Sequence, residues 1–373
     1  MHQQPFFKEK IPLAISQLRT DKQIPLLNKH FDGGQCRVFK VDFVDGESWA
    51  IRVPLFVRHA SRETIIHLID SEARVLEELE TKGFRWAAKL RGCSLTFDNA
   101  VGYPFLALTW ISGSQLSWSD DFPTRPLRDK VLSQVAMIHA SLIECTKETR
   151  VNATDHFTRI IQTKFRRVGS GLLPEITEQD CLDQMNILPD VLLPELDDAP
   201  FAMDHGDLSP QNILIDAQHN ITGIIDWGFS AKVPFQQAAS FPRILRLQHF
   251  ALPPSLVLQR DRETYITTLR SQTSQAGAWM ALALSSEDVD FQAFEEKPLD
   301  PSVNFSDVPD NRVTMIIGKG QMVYWQGSNV TVYEVDDEGN EKTRKLFGMP
   351  NGQGVAQDGV KLYITKGKVT ESV

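Results

Sequence analysis

Residues Asp204 to Phe229 read DHGDLSPQNILIDAQHNITGIIDWGF, and the rest of the chain is organised around them. His205-Gly206-Asp207 begins a polar loop that ends at Asn212. Ile213, Leu214 and Ile215 form a short apolar run, and Asp216 to Asn220 is polar with an Asx residue at each end. Ile221 to Ile225 is a second apolar, β-branched run, followed at once by Asp226. Two short strands about a tight polar turn predict a β-hairpin. A hairpin returns the chain to its starting point. Asn212, entering the first strand, and Asp226, leaving the second, should therefore end side by side, with Asp207 on the loop just before them.

Such an arrangement suits phosphoryl transfer. Mg²⁺ is a hard cation that takes oxygen ligands, usually one or two protein carboxylates plus substrate phosphates. Asp226 can supply the charged ligand, and Asn212 a neutral amide oxygen that adds no repulsion toward ATP. Asp207 is then free to accept the proton of an attacking hydroxyl. The order H-x-D-x-x-x-x-N, strand, turn, strand, D is that of the kinase catalytic loop and its metal-binding aspartate.

HGDLSPQNIL followed by IIDWG resembles the aminoglycoside phosphotransferase family, relatives of choline kinase with a protein-kinase-like fold. The resemblance implies Asp207 as catalytic base, Asn212 and Asp226 as magnesium ligands, and His205 as a structural residue of the loop. It implies an α+β, bilobal, protein-kinase-like fold: a β-sheet N-terminal lobe and a helical C-terminal lobe. Gly206 stands where protein kinases commonly carry the arginine that reads a phosphorylated activation loop, so that form of control is not expected.

The chain has 373 residues, enough for two lobes and a further piece. Hydrophobic residues make up 42% and charged residues 23%, ordinary for a soluble globular protein. A net charge of −9 argues against nucleic acid or an anionic membrane as main partner. It mildly favours a cationic acceptor, although surface acidity usually serves solubility. No run of about 20 apolar residues is present. Cys36, Cys93, Cys145 and Cys181 are too scattered for a zinc motif or a disulfide framework. The expected setting is cytoplasmic.

Upstream of the hairpin, the pattern becomes strand-like from Leu26. Gly33-Gly34 makes a turn, Val38 to Phe43 a strand, Asp45-Gly46 a hairpin turn, and Trp49 to Pro54 the next strand. By position, Gly33 and Gly34 fall where a kinase covers the ATP phosphates, though the full G-x-G-x-x-G is absent. Arg52, in A-I-R-V-P, occupies the place of the phosphate-binding lysine in V-A-I-K; it keeps the charge and adds a bidentate fork. Apolar residues at helical spacing predict a helix from Ser61 to Lys82. This helix carries Glu63, Glu72, Glu77, Glu78 and Glu80. The resemblance selects Glu72 as the partner of Arg52. Leu90 to Thr96 and Pro104 to Trp110 read as the last strands of a lobe over residues 24–110, whose exit toward Gly113 the resemblance identifies as the adenine-pairing connection. Arg125 to Thr146 is a long amphipathic helix, and its His139 reads as structural.

Downstream, FSAKVPFQQAASFP follows Gly228 with no A-P-E, so the peptide-docking platform of a protein kinase is not evident. Residues 236–298 read as mainly helical, including Arg260 to Arg270 and Gln275 to Leu284; they end a second lobe over 111–298 and are short for a complete one. From Leu299 the chain alternates short β-like runs with turns, a β-rich extension over 299–373 that resembles a fragment of a propeller blade. The expectation is a phosphotransferase that uses ATP and Mg²⁺ on a hydroxyl of a small molecule. The alternative is a pseudokinase that binds nucleotide or metabolite as a scaffold, for which Arg52 and the sparse glycine loop speak.

Overall fold

The computed structural model describes residues 5–57, 61–173, 176–246 and 255–285, together with seven strands between residues 313 and 371. After a short helix α1 (Ile11–Ser16) come β1 (Leu26–Asp32), β2 (Arg37–Asp42), β3 (Ser48–Val53), α2 (Arg62–Thr81), β4 (Leu90–Ser94) and β5 (Phe105–Thr109). The five strands form one antiparallel sheet in the order β1-β2-β3-β5-β4. Successive strand residues point to opposite faces, and this alternation decides where Arg52 goes. Trp49, Ile51 and Val53 are buried on one face, with Ile11 and Ile15 of α1 against them. Arg52 therefore emerges on the other face, the one covered by Ile69, Ala73, Leu76 and Leu79 of α2 together with Leu106 and Leu108. Ser61 caps α2, its side chain accepting the Thr64 N–H at 3.1 Å.

The second lobe begins with β6 (Ser114–Gln115) and contains α3 (Arg125–Thr146), α4 (Ala153–Gly169), α5 (Glu178–Val191), β7 (Ala202–Asp204), β8 (Ile213–Ile215), β9 (Ile221–Ile224), β10 (Ala231–Val233), α6 (Phe235–Ala238), α7 (Leu256–Arg270) and α8 (Gln275–Ser285). Helix α3 is its spine: Val131, Leu132, Val135, Ala136, Ile138 and Leu142 are buried in the same core as Tyr265 and Leu269 of α7 and Met280 of α8. His139 sits inside this core, its Nε2 donating to the Ala238 carbonyl at 2.8 Å and its Nδ1 meeting the Tyr265 hydroxyl at 2.6 Å, which is a structural placement. Strands β8 and β9 pair antiparallel as the predicted hairpin, with β6 alongside. β7 and β10 pair as a second small ladder on either side of the hairpin in sequence. These three-residue strands are too short to leave an alternation pattern in the sequence. Helix α7 starts at Leu256, earlier than Arg260, because Ser255 accepts the Leu258 N–H and caps it there.

The lobes are joined by more than the chain. The Ile224 N–H donates to the Trp86 carbonyl at 2.8 Å, and Lys232 of β10 pairs with Glu78 of α2 at 2.6 Å and also with Glu148. The extension contains β11 (Val313–Gly318), β12 (Gln321–Gln326), β13 (Asn329–Val335), β14 (Glu341–Phe347), β15 (Gln353–Ala356), β16 (Lys361–Thr365) and β17 (Lys368–Glu371). They form a separate seven-stranded sheet in which every strand pairs antiparallel with its neighbour in sequence. Among the described residues no helix is long and apolar enough to cross a membrane.

Candidate active site

The loop between β7 and β8 is held from both sides. Gly206 has φ +75°, and a Cβ on it would lie 2.4 Å from the Phe229 carbonyl oxygen. No L side chain fits there, which is the physical reason this position is glycine rather than arginine. His205 is buried. Its Nε2–H donates to the Ile225 carbonyl at 3.1 Å and its Nδ1 accepts the Asp207 N–H at 3.2 Å, so both ring nitrogens are committed to holding the loop against the exit of β9. Burial lowers the pKa of His205 from its ordinary 6.5 and favours the neutral ring that this pattern requires.

The hairpin closes as its sequence predicts. The Ile225 N–H donates to the Asn212 carbonyl at 2.9 Å, which brings Asn212 beside the residue preceding Asp226. The Asn212 amide group donates from Nδ2 to the Asp207 carbonyl at 2.8 Å and to Asp207 Oδ2 at 3.2 Å. Its Oδ1, the atom a hard cation needs, is thereby turned away from Asp207. Asp226 takes a left-handed conformation, φ 66° and ψ 68°, which aspartate tolerates better than most residues. It caps the short turn Trp227–Phe229, and the Trp227 ring packs beneath the loop, 4.5 Å from the His205 ring centroid.

Arg52, Glu72 and Asp226 meet as one cluster. Arg52 Nε lies 3.1 Å from Glu72 Oε2, an ion pair without hydrogen-bond alignment, and its Nη2 donates to Asp226 Oδ1 at 2.6 Å. Glu72 is 4% exposed and is the buried glutamate of α2, which separates it from the others on that helix. Burial pushes the Glu72 carboxyl upward against the pull of Arg52. Burial also works against the Arg52 charge, but the Glu72 and Asp226 carboxylates outweigh it and the guanidinium keeps its proton. The Cys36 thiol is pushed up to about 11 by burial, so this neighbour is a neutral thiol. All four cysteines are free.

Gly33 and Gly34 lie in the turn joining β1 and β2, where the Gly33 N–H donates to the Cys36 carbonyl at 2.8 Å. Nothing lies within 4 Å of where a Gly34 Cβ would stand, so this backbone faces open space. The structure thus brings Arg52, Glu72 and Asp226 into contact, and Asp207 with Asn212 into contact, while the two glycines stand apart in their turn. It also adds a residue with no sequence signature. Arg243 Nη1 donates to Asp207 Oδ1 at 3.0 Å, and nothing in FPRIL marks that arginine off from an ordinary surface one.

A magnesium ion here would draw on Asp226 Oδ atoms, Asn212 Oδ1 and phosphate oxygens. The donor set fits, since it is all oxygen and contains one carboxylate and one neutral amide. Among the described residues no group of three or more His, Cys, Asp or Glu forms a metal cage.

No curated protein matches the chain. Among solved structures, a protein of Ralstonia eutropha JMP134, provisionally assigned as an aminoglycoside phosphotransferase, is similar with a TM-score of 0.50 at 14% identity, over 75% of this chain and 86% of that one. A protein of Thermobifida fusca YX-ER1, provisionally assigned as a fructosamine-3-kinase, gives 0.46 at 16% identity over 76% and 94% of the two chains. The macrolide 2'-phosphotransferase of Brachybacterium faecium gives 0.43 at 16% over 76% and 89%. The first of these supports the bilobal, kinase-like fold. The family model described as the phosphotransferase enzyme family matches residues 42–237, more than half of the chain and the span that holds Arg52, Glu72, Asp207, Asn212 and Asp226, so the chain belongs to that family.

Proposed function

We propose that the protein transfers the γ-phosphoryl group of ATP, in the presence of Mg²⁺, to a hydroxyl of a small molecule. The observation that supports this best is the convergence of Asp207, Asn212 and Asp226 at one end of the β8–β9 hairpin, with Arg52 reaching Asp226 from the other lobe. In such a transfer the acceptor oxygen bonds to the γ-phosphorus as the bond to the ADP oxygen breaks, and the acceptor proton passes to a base. Asp207 is that base in this reading. Asn212 and Asp226 would hold the metal, whose contribution when bound is to neutralise charge on the phosphates. Arg52 supplies fixed positive charge to the same phosphates, and Glu72 keeps its guanidinium in place. Gly33 and Gly34, in the open β1–β2 turn, are assigned to the nucleotide phosphates in this reading. Positioning and electrostatics carry the rate, because the reaction asks for little covalent chemistry from the protein. We assign residues 24–110 as the nucleotide lobe, 111–298 as the catalytic and acceptor lobe, and 299–373 as an appended β-rich unit.

One observation favours a second reading, a nucleotide-binding scaffold without catalysis: Asp226 is already engaged by Arg52 at 2.6 Å. The same experiment separates the two. Purified protein is mixed with Mg²⁺ and ATP labelled at the γ-phosphate, with and without a small-molecule hydroxyl library, and label transfer or release is followed. Transfer that requires Mg²⁺ and falls in Asp207→Asn supports the enzyme. Tight Mg-ATP binding with no transfer or hydrolysis supports the scaffold.

A further inference from the structure

Arg243 is built into the site rather than draped over it. It opens the short turn Arg243–Leu245, whose Ile244 and Leu245 side chains are buried. The Ile244 N–H donates to the carbonyl of Leu208, the residue next to Asp207, at 3.0 Å. Arg246 Nε holds the Phe241 carbonyl at 2.9 Å and Arg262 Nε the Leu245 carbonyl at 3.0 Å, so the segment is fixed from both ends. The Arg243 side chain is 36% exposed, and of the five donors of its guanidinium the described residues engage one, through Nη1 to Asp207 Oδ1. A rigidly mounted fork with unused N–H groups, open to solvent and touching the proposed base, is a receptor for a planar or tetrahedral anion.

We propose that Arg243 binds the acceptor, and that the acceptor carries an anionic group, a carboxylate or a phosphate monoester, close to the hydroxyl that is phosphorylated. The inference rests on the phosphotransfer reading above. One guanidinium cannot reach far: a charge-assisted contact spans about 2.7–2.9 Å. Because the same group touches Asp207, the reacting hydroxyl and the anion belong to neighbouring carbons of the acceptor rather than to opposite ends of a large molecule. An ammonium placed there would face a like charge, so the net acidity of the chain does not describe this corner. During transfer the hydroxyl proton passes to Asp207, the oxygen bonds to the γ-phosphorus, ADP leaves, and the anionic group stays intact on Arg243.

The test is a Mg-ATP consumption screen with four arms: hydroxy-carboxylates, sugar phosphates, neutral sugars and polyols, and amino alcohols with aminoglycosides. Acceptors are expected in one of the first two arms, and which arm responds tells carboxylate from phosphate. For the acceptor found, kcat/KM is compared with that of its neutral ester, the methyl ester of a carboxylate or the dimethyl ester of a phosphate. In the parent chain the anion should be favoured by tenfold or more; Arg243→Gln should erase most of that preference through KM, and Arg243→Lys should restore part of it. Turnover confined to the neutral or cationic arms overturns the inference, as does a preference that Arg243→Gln leaves unchanged. A chain that hydrolyses Mg-ATP but phosphorylates nothing in the anionic arms overturns it too, with ATP chemistry still standing. A chain that consumes no ATP under any condition removes the phosphotransfer reading beneath it.

Discussion

Arg52 Nη2 and Asp226 Oδ1 lie 2.6 Å apart although 174 residues separate them in sequence, and this contact ties the sheet lobe to the end of the catalytic hairpin. It links the side chain proposed for the phosphates to the one proposed for the metal. Asp226→Ala should weaken Mg²⁺-dependent ATP binding by tenfold or more, because the proposed charged metal ligand is lost. Calorimetric titration of ATP with and without Mg²⁺ measures this. Equal affinity in parent and variant would remove Asp226 from the metal site.

Asp207→Asn keeps the shape of the carboxylate and its place beside Asn212, but removes the proposed base. Turnover should drop by roughly a hundredfold or more, the usual worth of general-base assistance, with Mg-ATP affinity nearly unchanged. Steady-state kinetics with the acceptor, paired with nucleotide titration, checks both halves of the expectation.

Glu72 is the residue whose environment sets it apart from its helix neighbours. It is buried against Arg52, while Glu63 and Glu77 lie toward solvent. Removing one partner of a buried ion pair costs about 3 kcal/mol or more where the other charge is left uncompensated, and less here because Arg52 keeps Asp226 as a partner. Glu72→Gln should therefore lower stability in chemical denaturation by less than that amount and raise the KM for ATP, whereas Glu77→Gln should do neither. Equal effects at the two positions would mean that Glu72 has no special tie to Arg52.

The hairpin, the catalytic loop and Arg52 were legible because their chemistry is local: a polar loop, two apolar runs and a strand with alternating burial each leave a mark within a few residues. The choice of Glu72 among five glutamates was not local. It depends on which face of α2 meets the sheet, and here the family resemblance supplied what helical periodicity alone does not. Arg243 left no mark at all. Its place beside Asp207 is set by the Ile244–Leu208 backbone bond, a contact across 36 residues that no spacing rule anticipates. β7 and β10 were missed for a related reason, since three-residue strands are defined by their partners rather than by their own pattern.

Two buried histidines make stability fall on the acid side. His139 and His205 both have folded-state pKa values below the ordinary 6.5, mainly through burial. The unfolded chain therefore takes up protons first as pH falls, and the stability these residues contribute is present above about 6.5 and lost below it. The melting temperature should be nearly flat from pH 7.5 to 7 and decline between pH 6.5 and 5.5. His139→Gln should melt lower at pH 7.5, having lost its bonds to Tyr265 and Ala238, yet decline less steeply. A parallel decline in parent and variant would assign the acid sensitivity to other groups.

The last prediction concerns residues 299–373. Every residue proposed for chemistry, Gly33 to Arg243, lies before them, and among the described residues each strand of their seven-stranded sheet pairs with strands of the same sheet and no ladder joins it to the five-stranded sheet that carries Arg52. A chain cut before Leu299 should thus keep its phosphotransfer rate per folded molecule within about twofold. Solubility is another matter. Helix α8 reads QAGAWMALALS, apolar almost all round, and such a helix needs cover on every side. Part of that cover comes from the α3–α7 core, where Met280 and Ala281 are buried. If the extension provides the rest, truncation exposes apolar surface, lowers the melting temperature and promotes aggregation. Light scattering and thermal melts of the two chains measure this side, and transfer of labelled phosphate to a common acceptor measures the other. A truncated chain that is folded and binds Mg-ATP, yet phosphorylates nothing that the full chain does, would show that the extension helps to build the acceptor site and that the division at residue 299 is wrong.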